Sequence, residues 1–165
     1  YQEGEGGIAA ALALAEFFAD SGPICVILGD NIIEGSIACY VDNFRRQQMG
    51  ARILLKEVED PQRFGVPEIR GSQIVRIEEK PRVPASNYAV TGIYMYDEEV
   101  FDIVRGLKPS KRGELEITDV NNAYIERGKM EYDILEGWWT DAGTFESLLR
   151  ASNLVSQKTQ QKGPV

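Results

Sequence analysis

Residues 24–28, Ile-Cys-Val-Ile-Leu, form an unbroken apolar run that ends at once in Gly29-Asp30-Asn31. A strand with one wet face alternates apolar and polar residues, so an unbroken run predicts a strand covered on both faces, in a sheet layered with helices. The flanking segments supply those helices. Residues 8–19 are apolar on nearly every face and predict a buried helix, and Ser36 can cap a second one, with Ile37, Tyr40, Val41 and Phe44 at helical spacing and Gly50 closing it. Further strands are predicted at 52–58, 66–69, 74–79, 89–96, 130–135 and 138–140. Asp97 can cap a short helix to 105, another runs from about 118 to 127 and stops at Gly128, and Thr144 caps a final amphipathic helix carrying Phe145, Leu148, Leu149 and Val155. The alternation is that of an α/β protein.

The 165 residues suit one domain, read as a core over 1–156 and a polar tail over 157–165. A net charge of -8 argues against nucleic acid, which needs a basic face to displace counterions. The chain has no histidine, which removes Ser-His and Cys-His catalytic pairs and His-ligated zinc within it. The chemistry left is that of carboxylates, lysine, backbone amides and a hard metal. Cys25 and Cys39 are far apart in sequence and read as small buried hydrophobes of a reducing cytosol. No stretch reads as a secretory or membrane segment, so a cytoplasmic location is expected.

Asp30 follows its strand through a turn-forming glycine, and Asp141 lies in Trp138-Trp139-Thr140-Asp141-Ala142-Gly143. In an open α/β sheet the ligand crevice lies beyond the carboxyl ends of strands. Two carboxylates there can share Mg²⁺, whose other positions go to phosphate oxygens and water. Each aspartate alone is equally well explained as a turn or cap residue. Glu79-Lys80-Pro81 leaves a strand with a carboxylate for sugar hydroxyls and an ammonium for a phosphate, and Pro81 fixes the direction of the exit. Gly65 and Gly92 stand where backbone can approach a ligand closely, although a glycine within a strand is as often a bulge. The glycine-rich opening, residues 1–9, runs into a helix, and its Gln2 offers a donor and an acceptor that complement the edge of uracil or thymine. Glu3 and Glu5 make a phosphate cradle there less favourable than a neutral group packed on Gly7.

Seven motifs in order, Gln2 to Ala9, Leu28-Gly29-Asp30-Asn31, Arg63-Phe64-Gly65-Val66, Glu78-Glu79-Lys80-Pro81, Val90-Thr91-Gly92-Ile93-Tyr94, Arg112 to Asp119, and Trp139-Thr140-Asp141-Ala142-Gly143, resemble the sugar-1-phosphate nucleotidyltransferases, most of all their thymidylyltransferase branch. The resemblance implies a Rossmann-like mixed, mostly parallel sheet flanked by helices, the nucleotide-diphospho-sugar transferase fold. It implies pyrimidine binding at Gln2 and Gly7, with Asp30 also on the nucleotide, and metal binding at Asp30 and Asp141. It places Asn31, Gly65, Glu79, Lys80, Val90 and Trp139 around the hexose and its phosphate. Asp30, Lys80 and Asp141 are then the catalytic candidates, Mg²⁺ the cofactor, and a pyrimidine nucleoside triphosphate and a hexose-1-phosphate the substrates, with a homo-oligomer as the assembly.

Two departures matter. Ala142 stands where the family's Trp-x-Asp-Thr-Gly has threonine, which removes a hydroxyl beside Asp141. The family's opening Gly-x-Gly-Thr-Arg-Leu-x-Pro-x-Thr and the lysine after it, which grip the triphosphate, find no match. The expectation is therefore an N-terminally truncated fold, with weak or absent turnover by the isolated chain. A non-catalytic sugar-nucleotide-binding or oligomerisation module of the same fold, and a nucleotide-sugar-dependent glycosyltransferase, are the alternatives.

Overall fold

The computed structural model describes residues 6–20 and 22–161, with side chains to residue 157. Its centre is two strands, β3 (Ala51–Glu57) and β6 (Tyr88–Tyr96), flanked by β1 (Ile24–Ile27) outside β6 and β7 (Met130–Ile134) outside β3, in the order β1-β6-β3-β7. β6 runs antiparallel to both neighbours, and β3 is parallel to β7. Three of the four strands thus share one direction, which gives the expected mixed α/β sheet. The pleat sends alternate side chains of β3 to opposite faces. Ile53 and Leu55 meet Ala9 and Leu12 of α1 (Ile8–Ala13), Val100, Phe101, Ile103 and Val104 of α4 (Glu99–Gly106), and Val120 and Tyr124 of α5 (Ile117–Glu126). Leu54 meets Tyr40 and Phe44 of α3 (Ala38–Gln47) together with Ile93 and Met95.

Two small ribbons complete the cavity side. β4 (Gly65–Arg70) and β5 (Gln73–Glu79) form a hairpin, and β2 (Asn31–Ile33) pairs antiparallel with β8 (Trp139–Asp141). The expected capping side chains do bind helix-start amides, although Ser36 and Asp97 stand one residue ahead of the N-cap positions Ile37 and Glu98. Ser36 Oγ accepts from the Ala38 amide at 3.1 Å, Asp97 Oδ1 from the Glu99 amide at 3.2 Å, and Thr144 Oγ1 from the Ser147 amide at 3.1 Å at the start of α6 (Phe145–Gln161).

The structure corrects four expectations. β1 is not covered on both faces: Ile24, Val26 and Leu28 pack on the core, while Cys25 and Ile27 face outward, because no described element lies over that side of the sheet edge. Cys25 and Cys39 are both exposed, Cys39 because Tyr40 and Phe44 take the inward face of α3. The apolar segment 8–19 is not one buried helix. It breaks after Ala13 into α1 and α2 (Glu16–Ala19), leaving Leu14, Phe17 and Phe18 in solvent. In α6 it is Ser147 and Ala151 that turn inward, while Phe145, Leu148, Leu149 and Val155 stay exposed.

The β1 edge carries no lysine or proline, Ile27 is 53% exposed, and Phe17 of the preceding α2 is 96% exposed. An apolar strand edge with free backbone groups is a template for another strand. The chain is expected to self-associate at micromolar concentration, and Ile27→Lys to return it toward monomer. Light scattering that finds a monomer before any substitution would contradict this.

Candidate functional site

The site grows from an irregularity in β6. Its register against β3 shifts between Ile53 and Leu55, so that Leu54 alone opposes Thr91, Gly92 and Ile93. Such bulges re-aim backbone and side chains, commonly next to active sites. Here Thr91 Oγ1 donates to the Leu54 carbonyl at 3.0 Å, and the bulge presents the Gly92 amide to Asn31 Oδ1 at 2.9 Å. The same Asn31 oxygen accepts from Trp139 Nε1 at 2.7 Å, and Asn31 Nδ2 donates to Asp30 Oδ1 at 2.9 Å. One asparagine therefore fixes a β6 amide, an indole on β8 and a carboxylate at the end of β1.

Asp30 and Asp141 converge. Asn31 pairs with Asp141 across the β2–β8 ribbon, and the Asp30 carbonyl accepts from the Ala142 amide at 2.7 Å. Both carboxylates face the same point: a Cβ on Gly143 would lie 3.3 Å from Asp30 Oδ2 and 3.8 Å from Asp141 Oδ2. Among the described residues no group of three or more His, Cys, Asp or Glu could enclose a metal. Two hard oxygen donors on one point fit Mg²⁺, which draws most of its ligands from water and substrate phosphates rather than from a protein cage. Arg63 Nη2 lies 3.5 Å from Asp141 Oδ2 while Nη1 pairs with Asp60 at 2.9 Å, and its guanidinium sits 5.3 Å over the Phe64 ring. Phe64 in turn meets Trp139 edge-on at 5.2 Å.

Opposite this pair, β4 and β5 supply Gly65 and Glu79, which are register partners. Glu79 Oε2 accepts from Thr118 Oγ1 of α5 at 2.7 Å, which fixes the carboxylate against the helix. Lys80 leaves β5 in the left-handed region, φ 45°, with its amide on the Phe64 carbonyl at 2.9 Å, so its side chain is set at the rim. Tyr94 is buried below. Burial, then the nearby Glu79 and Asp30 charges, push its hydroxyl pKa well up, so it stays a proton donor.

Most of these groups line one cavity of about 500 Å³. It gathers Asp30, Asn31, Gly65, Glu79, Lys80, Val90, Trp139 and Asp141, eight expected residues that are spread over more than 100 positions of sequence. Gly7 is not in its lining, although its neighbour Ile8 is. With φ 83°, Gly7 fits where a Cβ would stand 2.5 Å from the Leu115 carbonyl, so it docks α1 onto the 114–115 segment. Gln2 lies outside the described residues. Sequence reasoning assigned no role to Arg63, Phe64, Tyr94, Thr118 or Asn121, which also line the cavity. For Asn121 a signal existed: it shares the helix face of Ile117 and Tyr124, so it is a polar residue on an otherwise apolar stripe.

The chain is similar in sequence and in fold to known proteins. The chain is 40% identical to a glucose-1-phosphate thymidylyltransferase of Xanthomonas campestris pv. campestris, over 95% of this chain and 55% of the relative. It is 37% identical to the low-salt glycan biosynthesis nucleotidyltransferase Agl11 of Haloferax volcanii, over 94% of this chain and 44% of the relative. A Bacillus anthracis crystal structure described as a glucose-1-phosphate thymidylyltransferase in complex with sucrose superposes with a TM-score of 0.88 at 55% identity, over 93% of this chain and 62% of that one. A UDP-glucose pyrophosphorylase complexed with UDP-glucose superposes with a TM-score of 0.85 at 26% identity, over 95% and 64%. The chain thus spans about half the length of the curated relatives it matches. Among the described residues no helix is long and apolar enough to cross a membrane. The family model for nucleotidyl transferases matches residues 1–158, almost the whole chain, and the chain therefore belongs to the nucleotidyl transferase family.

Proposed function

We propose that the cavity serves the joining of a pyrimidine nucleoside triphosphate to a hexose-1-phosphate, giving a nucleotide-sugar of the dTDP-glucose or UDP-glucose type and pyrophosphate. The observation that supports this most is the convergence of two carboxylates, a rim lysine and a held glutamate on one cavity of nucleotide-sugar size. In that reaction an oxygen of the sugar phosphate attacks the α-phosphorus and pyrophosphate leaves, a displacement that depends on in-line positioning and charge stabilisation. Lys80 holds the sugar phosphate at the rim. Glu79, kept in place by Thr118, accepts from hexose hydroxyls. Asn31 keeps Asp30 and Trp139 in register. Asp30 and Asp141 would hold Mg²⁺, which when bound screens phosphate charge. The setting is a cytoplasmic homo-oligomer, with Gln2 on the pyrimidine.

A thermal-shift panel of dTTP, UTP, dTDP-glucose and UDP-glucose, each with Mg²⁺, tests the proposal. Stabilisation by at least one nucleotide-sugar supports it, and none by any of the four overturns it. Lys80→Ala is expected to weaken nucleotide-sugar binding by roughly 10- to 100-fold, the worth of one charge-assisted hydrogen bond. Its melting temperature should stay unchanged, because the side chain is exposed. Unchanged affinity in calorimetry would remove Lys80 from the phosphate site.

A further inference from the structure

Asn121 is 1% exposed and lines the cavity, yet only half of its amide is used. Its Oδ1 accepts from the Tyr96 hydroxyl at 2.7 Å, whereas its Nδ2 is the one buried side-chain nitrogen or oxygen among the described residues that has no hydrogen-bond partner. Turning the amide over does not remove the vacancy, since the Tyr96 hydroxyl can meet only one of its two ends. Native interiors rarely leave such a group unpaired, and each exception calls for an explanation, such as a functional role or a bound water or ion.

The surroundings say what would meet it. Thr118 lies one helical turn before Asn121 on the same face of α5, and it holds Glu79. Tyr96 stacks between Tyr94 at 6.1 Å and Tyr124 at 5.6 Å, so the group that anchors Asn121 is itself clamped. The amide is thus a rigidly backed donor on the helix face that also holds, through Thr118, the carboxylate assigned to hexose hydroxyls, and both line the same cavity. We infer that Asn121 is a specificity-determining residue, whose Nδ2 donates to a hydroxyl of the hexose next to the one that Glu79 receives. The inference rests on the nucleotide-sugar function proposed above. A site that presents a buried donor rejects an analogue lacking the matching oxygen, because the donor is then left unpaired.

Calorimetry of the full chain with dTDP, dTDP-glucose and the singly deoxygenated dTDP-glucose series, in Mg²⁺, tests it. In Asn121→Ala, and in the better-filling Asn121→Leu, dTDP-glucose affinity should fall about tenfold. Affinity for dTDP should not change, and one deoxy analogue should lose the penalty that it shows with the natural residue. Equal losses for dTDP and dTDP-glucose, or a deoxy series whose pattern is the same with and without the amide, would overturn the assignment and leave the nucleotide-sugar function standing. Failure of the natural chain to bind any of these ligands would overturn the function and the assignment together.

Discussion

Gly92→Ala is expected to cost the cavity its ligand while leaving a folded chain. A Cβ at this position would stand 2.8 Å from Asn31 Cγ and 2.9 Å from Leu28 Cδ1, and closer still to Asn31 Nδ2. Leu28 can shift, but Asn31 cannot do so cheaply, because its Oδ1 is bound to the Gly92 amide and to Trp139 Nε1 and its Nδ2 to Asp30. Displacing Asn31 therefore moves Asp30 and Trp139 together. Overpacking of this kind typically costs about 1–3 kcal/mol of stability. The loss of binding should be larger, roughly 100-fold, because a carboxylate and an indole leave their positions at once. Paired calorimetry and thermal melts separate the two effects, and a variant that binds dTDP-glucose as before would show that the β6 bulge does not position the site.

Asp141→Asn should remove the metal-dependent part of the affinity almost completely. The substitution preserves volume and β8 geometry but halves the carboxylate pair facing the Gly143 point. Arg63 retains its 2.9 Å partner Asp60, so the loop before β4 stays anchored. The expected result is a nucleotide-sugar affinity that no longer responds to chelation of Mg²⁺ and lies roughly tenfold or more below that of the unaltered chain. A variant whose affinity still drops on chelation would place the cation elsewhere.

Much of this was legible in the sequence because it is local chemistry. The central strands were read at 89–96 and 52–58 and observed at Tyr88–Tyr96 and Ala51–Glu57, since apolar runs bounded by Gly, Pro and Asp leave little choice. What was not legible depends on neighbours. An apolar run such as 24–28 reads the same at a sheet edge as at its centre, so the run by itself did not show which way Cys25 and Ile27 face. The short strand Asn31–Ile33 was missed because it exists only through its pairing with Trp139–Asp141, more than 100 residues on. The aspartates stood out because each ends a strand in a turn. Asn31 as the hub of three contacts did not, because the Gly92 amide reaches it only through a register shift in β6. Glu79 was read correctly as a strand-end carboxylate, but its partner Thr118 passed as part of a helix start.

The most direct test of the central claim is a crystal structure of the chain grown with dTDP-glucose and Mn²⁺, using anomalous scattering to locate the metal. The predicted result is an anomalous peak between Asp30 and Asp141 that contacts the diphosphate, with the hexose lying against Glu79 and the sugar phosphate at Lys80. A nucleotide-sugar bound outside this cavity, or bound within it with no metal at the two aspartates, would contradict the account.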